Sequence, residues 1–168
     1  FWPCYGATAD TNATTISGYT TGATNRIKLY TPQGGTECIT EGGWRHQGKW
    51  STDYFRIDPG TGYTPLTIDV DHVDVDGIQT LTSGTSNYRY GITASGQSDI
   101  SINACVVKNT STGNYCTGVT LNAATGETST VKNCVVDGWT GTSTAGINGA
   151  SVDYDSIYVY NCTVCGGN

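Results

Sequence analysis

Gly91-Ile92-Thr93-Ala94, followed by Ile100-Ser101-Ile102-Asn103-Ala104-Cys105-Val106-Val107, is a phrase that this chain repeats. It returns as Gly118-Val119-Thr120-Leu121 with Ser129-Thr130-Val131-Lys132-Asn133-Cys134-Val135-Val136. It returns again as Gly146-Ile147-Asn148-Gly149 with Ile157-Tyr158-Val159-Tyr160-Asn161-Cys162-Thr163-Val164. The glycines are 27 and 28 residues apart and the cysteines 29 and 28. A period of that length is the mark of a stacked repeat architecture. Within each period apolar and polar residues alternate between Gly, Ser, Thr and Asn, with no run at helical spacing, so the unit is short strands joined by turns.

One such unit cannot cover its own apolar face, and the solution is a coil whose neighbours pair above and below it, roughly 4.8 Å apart. Three columns result: Ile92, Val119 and Ile147; Ile102, Val131 and Val159; Cys105, Cys134 and Cys162. Just before the cysteines stands a bend position held by Gly77, Ala104, Asn133 and Asn161. Gly and Asn are residues that tolerate the left-handed backbone of a sharp bend.

On these residues the chain resembles right-handed parallel β-helix proteins of the pectate-lyase-like kind, whose coils carry an I-x-V-x-N-x-x-V bend. The resemblance spans residues 64–168. The stretch Arg45-His46-Gln47-Gly48-Lys49-Trp50, with Tyr54-Phe55-Arg56-Ile57, is similar to a segment of β-helix proteins from phages and environmental bacteria. What the likeness implies is a fold, because this architecture carries lyases, hydrolases, tailspikes and inert surface proteins alike. The expectation is an all-β, right-handed parallel β-helix of about five coils in one continuous domain. Residues 1–63 would form an irregular N-terminal cap or docking segment, a first coil and an inserted loop, and 64–168 the regular coils.

In that first coil Thr14–Tyr19 and Arg26–Tyr30 read as strands around a turn at Thr21–Asn25, with Tyr54–Ile57 closing it. Between them lies an insertion of about two dozen residues without a period of its own, the kind of excursion that serves as a functional loop or as a lid.

With 168 residues and a formal charge of −6, the chain is polar but sparsely charged, with 13% Asp, Glu, Lys and Arg. A pI near 4.5 disfavours nucleic acid and anionic membrane as partners, since both select basic patches. No apolar run reaches the length of a membrane span. Seven cysteines suggest an oxidising compartment, and the localisation expected is extracellular, on a cell surface or on a virion. Cys105, Cys134 and Cys162 read as an inward ladder of small buried side chains. Cys4 and Cys38 are the disulfide candidate.

The binding candidate is the inserted loop, where Trp44 and Trp50 beside Arg45, His46 and Lys49 could stack on sugar rings and bond their hydroxyls. The competing reading has both tryptophans packed as a lid. Asp74 and Asp76 alternate with Val73 and Val75 and so point outward, a weak calcium candidate outweighed by an ordinary solvated strand face. His46 and His72 share no metal-ligand spacing, and no cofactor is expected. Glycosylation sequons place Asn109 in an accessible turn and Asn12 near the N-terminus. A third, at Asn161, is doubted because its amide sits in the bend column, where a ladder of side-chain amides would occupy it.

Outward columns change residue type from coil to coil, so no paired acid and base line a groove and no catalytic residue is assigned. With no amphipathic cap after Cys165, the bottom coil would present unpaired strand edges. The function expected is therefore structural, a fibre or filament subunit associating with itself end to end. A carbohydrate-binding or depolymerising tailspike-like module on surface polysaccharide is the alternative.

Overall fold

The period becomes a solenoid. The computed structural model describes residues 1–34, 44–123, 128–151 and 156–166. Its named strands form three parallel sheets, and there is no helix among the described residues. The first sheet stacks β1 (Trp2–Pro3), β4 (Ile27–Tyr30), β7 (Val73–Asp76), β10 (Ile100–Asn103), β13 (Thr128–Lys132) and β16 (Ser156–Tyr160). The second stacks β2 (Ala9–Asp10), β5 (Arg56–Ile57), β8 (Gln79–Thr82), β11 (Val106–Asn109), β14 (Val135–Asp137) and β17 (Thr163–Cys165). The third stacks β3 (Thr14–Ile16), β6 (Leu66–Ile68), β9 (Tyr90–Ser95), β12 (Thr117–Ala123) and β15 (Ala145–Ser151). The chain visits the sheets in that order, making five turns and two strands of a sixth.

Register follows the sequence columns. Ile102 pairs with Val75 and Val131, Val131 with Val159, and Val119 with Ile92 and Ile147. Val75, Ile102, Val131, Ile92 and Val119 are all fully buried. Each such side chain contributes about 1.5–3 kcal/mol by leaving water. The bend column is left-handed throughout: Gly77, Ala104, Asn133 and Asn161 have φ of 74°, 50°, 54° and 51°, a backbone that Gly and Asn tolerate and that Ala104 adopts against its own preference. Gly22 and Asn25 exchange backbone hydrogen bonds of 3.1 and 2.9 Å, closing the turn expected there.

The first turn begins earlier than the periodicity suggests. Trp2 and Pro3 pair with Leu29 and Tyr30, and Ala9 and Asp10 with Arg56 and Ile57. Thr14–Ile16 is therefore the third strand of turn one, while Ile27–Tyr30 opens turn two. Strands of two residues hold a single inward side chain, too few to show alternation.

The repeated glycines have a steric reason. A Cβ on Gly91 or Gly118 would lie under 3 Å from the Cγ1 of Val107 or Val136 and from the next turn's carbonyl oxygen, at Gly118 or Gly146. The third sheet meets the second at this corner, leaving no room for a side chain. Trp139 from the fifth turn, 1% exposed, lies along the same corner against the Gly91 and Gly118 positions.

One outward column departs from the expected variation. On the third sheet Thr15, Thr67, Thr93 and Thr120 stand in register before Asn148 ends the row. The β3 and β6 members of this row lie in segments too short for their phase to be read from the repeat.

Candidate functional site

The first sheet turns into the second at the bend column, and there the outward polar side chains form a continuous row. Asn161 Nδ2 donates to Asn133 Oδ1 at 2.6 Å, Asn133 Nδ2 to Asn103 Oδ1 at 2.8 Å, and Asn103 Nδ2 to Asp76 Oδ1 at 2.8 Å. Every amide donates toward the N-terminal end, and the row finishes on the Asp76 carboxylate, a pure acceptor when ionised. The other oxygen of Asp76 receives Arg45 Nη2 at 2.7 Å and Lys28 Nζ at 3.5 Å. Asn161 thus has its amide occupied, as the ladder reading of its sequon requires.

Asp74 is also engaged. Arg26 holds it in a two-point pair, Nε to Oδ2 at 3.0 Å and Nη2 to Oδ1 at 2.8 Å, and its Nη1 reaches Asp99 one turn on. His72 Nδ1 lies 2.8 Å from the same Asp99 carboxylate. Asp74 and Asp76 point outward as expected, and both are ion-paired there rather than bare on a solvated face. Cations of the protein already neutralise them, and no cluster of metal-ligating side chains forms among the described residues.

From Trp44 to Phe55 the inserted loop lies along the flank of the solenoid as a strap. Trp44 N–H donates to Pro32 O at 3.0 Å and Arg45 Nε to Thr31 O at 3.2 Å. Arg45 passes over Gly77, where any Cβ would collide with its guanidinium. At the far limb Gln79 of β8, fully buried although polar, accepts from Ser51 N–H at 2.9 Å. Its amide donates to the carbonyls of Ser51 and Phe55 at 2.9 and 3.2 Å. Its neighbour in the row, Val106, faces outward from the core and is only 1% exposed.

His46 is the most enclosed member of the strap, 8% exposed. Its Nδ1 accepts from Gly48 N–H at 3.1 Å, which places the proton of the neutral ring on Nε2. That nitrogen is buried and faces the Ala104 carbonyl short of hydrogen-bond geometry. Burial holds the imidazole below its ordinary pKa. The Ala104 carbonyl opposes this in part, and the Arg45 charge adds to it.

The five sugar-binding candidates therefore do not converge. Arg45 and His46 face the solenoid, Lys49 is exposed, and Trp44 and Trp50 are half-buried, Trp50 lying under Lys108 Nζ at 5.5 Å. A hollow of about 420 Å³ beside His46 is lined by Gln33, Arg45, Gln47, Tyr54 and Ala104. Gln33, Gln47 and Tyr54 were not signalled by any spacing in the sequence.

The remaining candidates fall apart in space. Asn12 is exposed, its amide 3.3 Å from Asp10 Oδ1. Asn109 corrects the accessible turn expected for it: it is 3% exposed. Its Nδ2 donates to Gly138 O and Ser111 O, and its Oδ1 accepts from Ser111 N–H. The side chain turns inward to close the corner that Trp139 fills. Cys105 and Cys134 are buried and Cys162 half-buried in one column, with Cys105 N–H 3.4 Å from Cys134 Sγ. Cys4 is half-buried, and Cys38 lies outside the described residues.

The chain matches no family model, no curated protein and no solved structure. Fold and local chemistry carry the functional reading.

Proposed function

We propose that this chain is a structural β-helix of the extracellular space or of a cell or virion surface, a fibre or filament subunit that extends by end-to-end stacking. The supporting observation is the state of the last turn. Val159 and Val164 continue the inward columns of Val131 and Val136 in register, yet they are 48% and 49% exposed. A face of half-covered apolar side chains beside unpaired strand edges takes a further turn. That turn can come from the same polypeptide continued or from a second copy, and the proposal is the second. Ladders of Asn and of aliphatic side chains suit such a rod, since both repeat at the strand spacing. The finer kinship, with pectate-lyase-like β-helices, rests on the bend motif alone. Electron microscopy over a concentration series tests the proposal: rods that lengthen with concentration support it, and isolated particles of one turn-stack at every concentration reject it.

A second reading is favoured by the hollow beside His46, where two glutamine amides, a tyrosine ring and Arg45 surround a space of about 420 Å³. Amides and aromatic rings of this kind bind sugars, which would make the chain a polysaccharide-recognising, tailspike-like module. Binding to a glycan array that is lost on Tyr54→Ala supports this reading; an array without signal removes it.

A further inference from the structure

We propose that the strap from Trp44 to Phe55 is an acid-released cover, freed when His46 is protonated, and that its release uncovers Gln79 on the second sheet. The inference does not depend on how the solenoid assembles.

The geometry carries it. His46 has 8% of its surface in contact with solvent and sits between the strap and the bend at Ala104. Its Nδ1 is committed as an acceptor, because Gly48 N–H points at it from 3.1 Å. An imidazolium has donors on both nitrogens. Protonation would set Nδ1–H against Gly48 N–H and break the turn that closes the strap. It would also place a buried positive charge beside Arg45, which is held by Asp76 of β7, itself shared with Lys28 of β4. The other described groups that line the hollow beside the ring are the amides of Gln33 and Gln47, the Tyr54 ring and Ala104, and none of them is a carboxylate. Among the described residues no carboxylate is paired with His46, and Asp76, the acid nearest along Arg45, is already balanced by two cations. His72, the other histidine, has the opposite environment, with Asp99 at 2.8 Å, and lies at the corner between the third and first sheets.

The sign follows from the direction of the shift. The closed strap holds His46 below the ordinary histidine value of about 6.5, so the open strap binds the proton more tightly. Closure is fully favoured above about pH 6.5 and is lost progressively as pH falls from there through the closed-state value. Over that interval the opening equilibrium rises by up to about tenfold per pH unit.

Gly48 and Ser51 report closure, through their bonds to His46 and Gln79. The test is hydrogen exchange at these two amides in the whole chain from about pH 8 to about pH 5, corrected for intrinsic exchange. The imidazole signals of His46 are followed by NMR in the same samples, with His72→Asn used to assign them. The proposal expects protection at Gly48 and Ser51 to fall in step with protonation of His46, while β10 and β11 amides keep theirs. It also expects His46→Gln to abolish the pH step and His72→Asn to leave it in place. Protection that is independent of pH overturns the proposal, as does a step that survives His46→Gln. If His46→Gln leaves the strap open at every pH, the wild-type comparison decides, and a protection midpoint separate from the His46 titration overturns it.

Discussion

Gly118→Ala is the substitution that most sharply tests how the turns are packed. A methyl at that position would lie under 3 Å from the Gly146 carbonyl oxygen and from Val136 Cγ1, with Trp139 Nε1 at 3.1 Å. The carbonyl belongs to the backbone of the next turn and cannot swing aside. Overpacking of this kind costs about 1–3 kcal/mol. Against it stands the smaller entropy of the unfolded alanine chain, about 0.4–1 kcal/mol in favour of the variant. The net loss is about 1–2 kcal/mol, which for a domain of this size lowers Tm by roughly 2–8 °C in a thermal melt followed by circular dichroism.

Two comparisons make the result diagnostic. At Gly146 the three nearest atoms all belong to the Val164 side chain, which is 49% exposed and so has room to shift, unlike a backbone carbonyl, so Gly146→Ala should cost less than Gly118→Ala. Gly22 has open space around it and ordinary backbone geometry, so Gly22→Ala should be neutral or slightly stabilising. If Gly118→Ala proved as benign as Gly22→Ala, or if Gly146→Ala cost as much as Gly118→Ala, the steric account of the glycine column would be wrong.

Asn109→Ala strips a buried side chain from the Gly138 and Ser111 backbone groups, and urea denaturation should show a loss of about 1–3 kcal/mol, whereas Asn12→Ala at its exposed site should stay within about 0.5 kcal/mol; equal effects would contradict the inward placement of Asn109. Thiol labelling with peptide mapping at about pH 8 should modify exposed Cys165 first and leave Cys105 and Cys134 unmodified until the chain unfolds. A hydrogen bond with Cys105, together with burial, pushes the Cys134 thiol up, and burial beside Asp10 pushes Cys4 up to about 12, so neither offers a ready thiolate. Labelling of native Cys134 at the rate of Cys165 would rule out the buried column.

The sequence columns at Ile102, Cys105 and Val119 announced the solenoid because a parallel stack places residues one period apart in direct contact. The bend was equally legible, since Asn133 and Asn161 adopt a backbone that few other residues tolerate. What stayed hidden depends on contacts that the period does not encode. The strap joins turns two to four through side chains, so the burial of Gln79 and the turning of Arg45 toward Asp76 have no counterpart in spacing. Asn109 reads as a turn residue by its neighbours Thr110 and Ser111, yet its amide is what closes that turn from inside. The ion pairs of Asp74 and Asp76 were hidden for a similar reason: Arg26 and Arg45 come from an earlier turn and from the strap, far from them in sequence.

Sedimentation velocity of the wild-type chain and of Val164→Lys over a concentration series addresses the central claim most directly. Val164 is half-exposed on the open face and packs over Gly146, so a lysine there burdens stacking while leaving the earlier turns intact. The account predicts wild-type species that grow with concentration and a Val164→Lys chain that stays monomeric with an unchanged circular dichroism spectrum. A wild-type chain that remains monomeric throughout, or a Val164→Lys chain that assembles equally well, would contradict it.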